Sequence, residues 1–190
     1  MDIQPLSIPG AWRIRPTVFG DARGSFAEWF RFDHIERVTG YAFHAVQANI
    51  STSSRGVVRG IHYADVPPGQ AKFVMPVTGS IIDYVVDIRV GSPTFGQWTA
   101  EELRADMRDA NLIEPGLGHA FVALEDNTTV SYLVTDYYRP EREHGVNPLD
   151  PTIGLTMPEG IVPLLSEKDL AAPNLDEARA AGALPIWEAR

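Results

Sequence analysis

An all-β domain, folded as an antiparallel sandwich or barrel with short helices at its margins, is what this sequence predicts, on three observations. Fifteen prolines and sixteen glycines are spread along the chain and cut it into short apolar segments, the punctuation of strands joined by turns. In SIIDYVVDIRV, residues 80–90, apolar Ile82, Tyr84, Val86, Ile88 and Val90 alternate with Asp83, Asp87 and Arg89, a period of two that puts one set on each face of a strand. Helical signals are few and marginal, which favours packed sheets over a helical layer.

From the N-terminus, the first predicted element is a short helix at 33–39, closed by Gly40. Segments 45–51 and 56–63 follow as strands. Val66-Pro67-Pro68-Gly69 then breaks the chain, because proline cannot donate to a ladder and glycine frees the turn. It reads as a hairpin connection to the next strand, 71–77, which would set residues 62 and 72 nearly opposite one another. The chain has only two lysines, and one of them, Lys72, takes that place opposite His62. Strand 80–90 ends at Gly91-Ser92-Pro93. Residues 101–110 are ambiguous, helical in composition yet lying between strand-like segments. Segments 111–114, 119–124 and 128–137 complete the strands. A helical tail from about 166 to 181 opens on Ser166-Glu167-Lys168-Asp169, a serine N-cap with an acid three residues on, although Pro173 interrupts it.

The bulk properties narrow the function. With 190 residues, 44% hydrophobic and 22% charged, the chain is expected to form one domain, 1–190, with a sizeable core. No apolar run approaches the roughly 18–20 residues of a membrane span, and the first residues lack a basic region followed by a long apolar core, so the expected compartment is the cytoplasm. The absence of cysteine removes disulfides and thiolate metal sites. A formal net charge of −9 argues against a nucleic-acid or anionic membrane surface. It leaves room for a small anionic ligand held by converging arginines.

Several motifs occur in a fixed order: DARGSFAEWF at 21–30, QANIS at 47–51, VVRGIHY at 57–63 with GQAKFV at 69–74, DIRVGSPTFGQW at 87–98, IEPGLGHAF at 113–121, YLVTDYY at 132–138 and LSEKD at 165–169. Together they resemble the dTDP-4-dehydrorhamnose 3,5-epimerase family over most of the chain. The resemblance implies a jelly-roll, cupin-like β-sandwich, a homodimer, a dTDP-4-keto-6-deoxyhexose substrate, and chemistry with no metal and no nicotinamide cofactor. It turns 101–110 into part of a strand pair. It also implies that the segment around Arg23 reaches the partner subunit's site.

The chemistry so implied needs a base, an acid on the opposite ring face and a group to hold the enolate oxygen. His62 is the candidate base, since a near-neutral imidazole accepts a proton at pH 7. A carboxylate on its other nitrogen would fix its tautomer, and the resemblance makes that partner Asp169. Lys72 is the candidate for stabilising the enolate charge. Tyr132 is the candidate acid. The same motif matching makes Arg23, Gln47, Asn49, Arg59, His119 and Tyr138 substrate-binding residues, with Phe26 stacking on the thymine and Glu28 accepting its imide N–H. Strict alternation would send Arg59 and His62 to opposite faces. Irregular pairing at Gly60 is therefore expected.

Three other readings are weighed. A metal-dependent cupin enzyme needs clustered ligands, whereas His34, His44, His62, His119 and His144 make no His-x-His pair. A non-catalytic sugar-nucleotide-binding jelly roll has no use for His62, Lys72, Tyr132 and Asp169 together. A single-centre epimerase, inverting only C3 or only C5 in an antibiotic deoxysugar pathway, would use the same acid and base. Tyr63-Ala64-Asp65, where double epimerases more often carry an aromatic residue followed by glutamine, bears on that choice through the pocket wall.

Overall fold

The computed structural model describes residues 1–188. Among them the strands are β1 (Asp2–Pro5), β2 (Ala11–Arg15), β3 (Val18–Asp21), β4 (Gly24–Ala27), β5 (Gln47–Ser53), β6 (Val58–Ala64), β7 (Lys72–Thr78), β8 (Ser80–Val86), β9 (Trp98–Arg104), β10 (Ala110–Ile113), β11 (Gly118–Ala123), β12 (Thr128–Val134) and β13 (Glu143–Gly145). The helices are α1 (Phe32–Thr39), α2 (Glu167–Leu170) and α3 (Leu175–Ala180), with a single 3-10 turn at Pro140–Arg142.

The strands make two antiparallel sheets, ordered β1-β2-β10-β7-β12-β5 and β13-β6-β11-β8-β9, and β3 and β4 form a separate hairpin. This is a jelly-roll, cupin-like antiparallel β-sandwich with short peripheral helices. Val74, Ile81, Val85, Ile113, Phe121 and Val130 pack between the sheets. Both outer faces are covered as well. Ile35 of α1 and Phe43 lie over Phe73, Met75 and Leu112 on the six-stranded sheet. Residues from Val146 to Leu184 lie over Ile61, Tyr63, Tyr84, Val86 and Val122 on the five-stranded sheet.

That double burial changes the expected reading of residues 80–90. Ile82, Tyr84 and Val86 do share a face, but it is the outer one, under the C-terminal segment. Asp83, Asp87 and Arg89 on the other side are buried. The ladder ends at Val86, because Asp87 gathers the turn that follows it: its carboxylate accepts from Arg89, Ser92 and Thr94.

The connection at 66–69 is not the expected hairpin. β6 pairs with β11 and β13, and β7 with β10 and β12, so the two strands belong to different sheets. The prolines leave the ladder, Gly69 N–H closes onto Asp65 O at 2.9 Å, and the chain crosses the sandwich. His62 and Lys72 therefore face each other across the interior, with the Lys72 ammonium 3.4 Å from the His62 carbonyl. Residues 101–110 hold the end of β9, a turn and the start of β10, as the resemblance implies. Pro173 splits the tail into α2, whose first turn is capped by the Ser166 hydroxyl, and α3, opened by a reciprocal Asn174–Glu177 cap. The segment 128–137 ends early, at Val134. The strands β1 to β4 and β13 have no counterpart in the sequence reading.

Candidate active site

On the interior faces of the sheets the residues are not all apolar. Lys72, Asp83, Asn111 and His119 are buried there. Arg59, His62, Lys72, His119, Tyr132 and Asp169 line one cavity of about 430 Å³. It adjoins a second lobe of about 210 Å³ that shares His62, Lys72, Tyr132 and Lys168 and adds Gln47, Asn49, Tyr138 and Glu143.

Arg59 and His62 reach the same cavity because β6 is irregular. Opposite β11 the register jumps, pairing His119 with His62 but Phe121 with Arg59. Gly60 lies at the jump with φ +125°, a conformation that glycine adopts without steric penalty. A side chain there would also collide with β11: a Cβ would lie 2.4 Å from the His119 carbonyl oxygen. With Gly60 absorbing the extra residue, Val58 and Ile61 both face outward and Arg59 and His62 both face in.

His62 and Asp169 form a pair, Nε2 to Oδ1, at 2.7 Å. This leaves Nδ1 for a substrate. Asp169 is buried while the His62 ring is about a third exposed. Burial by itself opposes ionisation of the Asp169 carboxyl, but hydrogen bonds from His62, Ser166 and the Gly60 backbone outweigh it and hold the group below the usual carboxylate range. Lys72, 8% exposed, has its ammonium lowered by burial, against which the charges of Glu143 and Asp83 act. The Tyr132 phenol is raised, by burial first and then by Glu143, with Arg59 opposing. A phenol so held keeps its proton for transfer.

The remaining cleft residues are fixed by one another. Asp83 receives His119 at 2.6 Å and Asn111 at 2.7 Å. Arg59 donates from Nε to Ser53 and from Nη2 to the Thr52 carbonyl and makes no ion pair among the described residues, so Nη1 and the outer edge of the guanidinium remain for an anion. Gln47 donates to Asn49 at 2.8 Å and accepts from the Tyr138 amide at 3.0 Å.

Three residues expected at the site lie elsewhere on this chain. Arg23 and Phe26 line a separate concavity on the β3–β4 hairpin, Arg23 paired to Asp21 and Phe26 70% exposed. Glu28 follows the hairpin and faces Arg31 at 3.8 Å. Of Tyr63-Ala64-Asp65, only Asp65 bears on the cleft. Tyr63 is buried on the outer face, donating to the Ala183 carbonyl, whereas Asp65 holds His144 at 2.6 Å, and His144 lines the second lobe.

Sequence reasoning did not single out two charged residues of the cleft. Lys168 borders both lobes and makes no ion pair among the described residues; its signal was its place beside Asp169 in LSEKD. Glu143 lies in the alternating-charge run EREH, residues 141–144, which reads as a solvated loop. Among the described residues no three histidine, aspartate or glutamate side chains form a metal-binding group.

A sequence profile described as dTDP-4-dehydrorhamnose 3,5-epimerase matches residues 5–177. The chain is 51% identical over 187 residues to a dTDP-4-dehydrorhamnose 3,5-epimerase of Mycolicibacterium smegmatis, a match covering 98% of this chain and 92% of the other. It is similar in structure to NovW, a 4-keto-6-deoxy sugar epimerase from the novobiocin biosynthetic gene cluster of Streptomyces spheroides, with 48% identity and a TM-score of 0.95 over 98% of this chain and 94% of that one. It is also similar to ChmJ, a 3'-monoepimerase from Streptomyces bikiniensis solved with dTDP-quinovose, with 46% identity and a TM-score of 0.93 over 96% and 92% of the two chains.

Proposed function

The chain belongs to the dTDP-4-dehydrorhamnose 3,5-epimerase family, and from that membership we propose that it epimerises a dTDP-4-keto-6-deoxyhexose next to its ketone, at C3, at C5 or at both. It is an isomerase: a ring proton leaves from one face and another arrives on the opposite face. His62 Nδ1 takes the proton, and the imidazolium is stabilised by Asp169. The C4 oxygen then carries enolate charge, which Lys72 stabilises. Tyr132 protonates the carbanion from the far side, and solvent exchange restores both groups.

The observation that carries this reading is the origin of the two groups. His62 belongs to β6 of the five-stranded sheet and Tyr132 to β12 of the six-stranded sheet, and both line one cavity with Lys72. A sugar ring held between the sheets would meet a base on one side and an acid on the other. Arg59 and His119 border the same cavity as candidates for the diphosphate, and Gln47, Asn49 and Tyr138 extend the binding surface into the second lobe. Arg23, Phe26 and Glu28 complete this proposal from a second subunit of a homodimer. The expected cytoplasmic setting belongs to the proposal too.

A single-centre epimerase is the second reading. It is favoured by the likeness to a 3'-monoepimerase at 46% identity, close to the 51% shared with a 3,5-epimerase. Proton NMR of dTDP-4-keto-6-deoxyglucose incubated with the protein in heavy water separates the two. Loss of the signals from both H3 and H5, with inverted product, identifies the double epimerase, and loss of one identifies the single. If neither signal fades, the proposal fails.

A further inference from the structure

We propose that Glu143 is a positioning residue for this reaction, a fixed negative charge that keeps Lys72 and Tyr132 in their protonated, reacting forms. The inference rests on the epimerase reading and adds to it a group outside the acid–base set.

The placement follows from the sheet. β13 pairs with β6 so that Gly145 lies opposite His62 and Glu143 opposite Ala64. Side chains two apart on a strand share a face, so Glu143 takes the face on which His62 looks into the sandwich. Its Oε1 accepts from Gln70 Nε2 at 3.1 Å, and Gln70 is itself tied by the same nitrogen to the Asp136 carbonyl at 3.2 Å. The carboxylate is thus anchored in the lobe it shares with Lys72 and Tyr132.

The other charged or titratable groups around that lobe are otherwise engaged or of the wrong sign. From β6 come Arg59 and His62, the latter held by Asp169 before α2's end. Asp83 of β8 also acts on Lys72, after Glu143, but is taken by His119 of β11 and by Asn111 of β10. His144 is taken by Asp65, Tyr138 lies across the lobe, and Lys168 of α2 is a second cation. Burial drives Lys72 toward its neutral form, and Glu143 is the first of the charges that oppose this. Glu143 also adds to the effect of burial in keeping the Tyr132 proton on. One carboxylate therefore acts in the useful direction on both the enolate-stabilising cation and the acid.

Neutralising Glu143 should lower the pH at which Lys72 loses its proton and the pH at which Tyr132 ionises. Both changes move the alkaline limb of the pH–rate profile the same way. The test compares wild type, Glu143→Gln and Glu143→Asp in heavy water with dTDP-4-keto-6-deoxyglucose, reading deuterium incorporation and inverted product across pH. In Glu143→Gln the alkaline limb is expected about one pH unit lower, and Glu143→Asp should return it to the wild-type position even if its maximal rate is reduced. An exchanging wild type whose limb is unmoved, or moves upward, in Glu143→Gln overturns this role alone. So does a Gln variant that fails to fold, by circular dichroism, while the Asp variant folds, since the carboxylate would then be structural. A wild type that exchanges no ring proton at any pH sinks the epimerase reading, and this role with it.

Discussion

Three histidines each hold an aspartate, and the surroundings of each pair decide its use. His119–Asp83 is buried on both sides, and Asp83 also takes Asn111; little of that imidazole faces solvent. His62–Asp169 buries the acid and leaves the ring about a third exposed, with Nδ1 available. His144–Asp65 leaves both its ring and its acid partly exposed; the His62 pair joins an accessible imidazole to a buried carboxylate that orients it, as suits a general base. His62→Ala is therefore expected to cut deuterium incorporation by roughly 10²–10⁴-fold. Tyr132→Phe should leave measurable exchange while suppressing inverted product, since abstraction precedes delivery from the other face. Single-turnover NMR in heavy water reads both, and near-normal exchange in His62→Ala would remove His62 from its role. The residues differ in how far the sequence disclosed them. Asp169 lies 107 residues from His62, beyond any spacing rule, and only the family resemblance paired them. Lys72 stood out as one of two lysines, but its approach to His62 across the sandwich was mistaken for a cross-strand one. Glu143 carried no signal, because its use depends on a three-residue strand that pairs with β6.

Among the elements, the apolar segments set off by glycine, proline and other turn residues were legible: β5 to β8 and β10 to β12 all fall within the expected segments to a few residues. The hairpin β3–β4 and the strands β1 and β2 were not. β3 and β4 are largely exposed, so no apolar period marks them, and β1 pairs with β2, which alone of the two pairs with β10. The expected stop after residue 90 comes instead at Val86, for a reason only the fold supplies. Asp87 collects Arg89, Ser92 and Thr94, while Arg89 also donates to the Pro9 carbonyl at 2.9 Å and lies 4.2 Å from the Trp187 ring. This buried pair joins the N-terminal loop, the turn after β8 and the C-terminal segment. Burial opposes the Asp87 charge, but its donors outweigh that and hold its pKa low in the folded protein. A depressed folded value means that the stabilisation is fully present above the ordinary aspartate value. It is lost as pH falls through the lower, folded one. Asp87→Asn should then cost about 3 kcal/mol near neutrality by leaving Arg89 buried without its counter-charge. The gap from wild type should narrow as the pH falls below the ordinary aspartate range. Urea unfolding at a series of pH values checks both, and a gap that stays constant down to acid pH would contradict the assignment.

At the scale of the whole molecule, the cleft between the sheets and the arm formed by the β3–β4 hairpin lie apart. Under the proposed function the cavity between the sheets would hold the sugar and its phosphates, while the residues that the resemblance matches to thymine recognition, Phe26 and Glu28, lie on and just beyond a hairpin that joins neither sheet. Phe19 and Phe26 are 62% and 70% exposed on that hairpin, and Ile50 is 70% exposed on β5, which ends the six-stranded sheet with a free edge. An exposed edge and an apolar projecting hairpin are surfaces that a second copy can cover. In a two-fold dimer the exchange is reciprocal, so each cleft would be completed by the other subunit's arm. Mixing two defective variants tests this without any structure of the complex. His62→Ala lacks the base but keeps its arm; an Arg23→Ala, Phe26→Ala double variant keeps the base but lacks the arm. Each alone should turn over poorly. After unfolding and refolding an equal mixture, half of the dimers are mixed, and in each of these one site combines an intact base with an intact arm. About a quarter of all sites should then work, a recovery seen as restored exchange at saturating substrate. If each chain completes its own site, or if the arm has no part in binding, the refolded mixture will show only the average of the two variants measured separately.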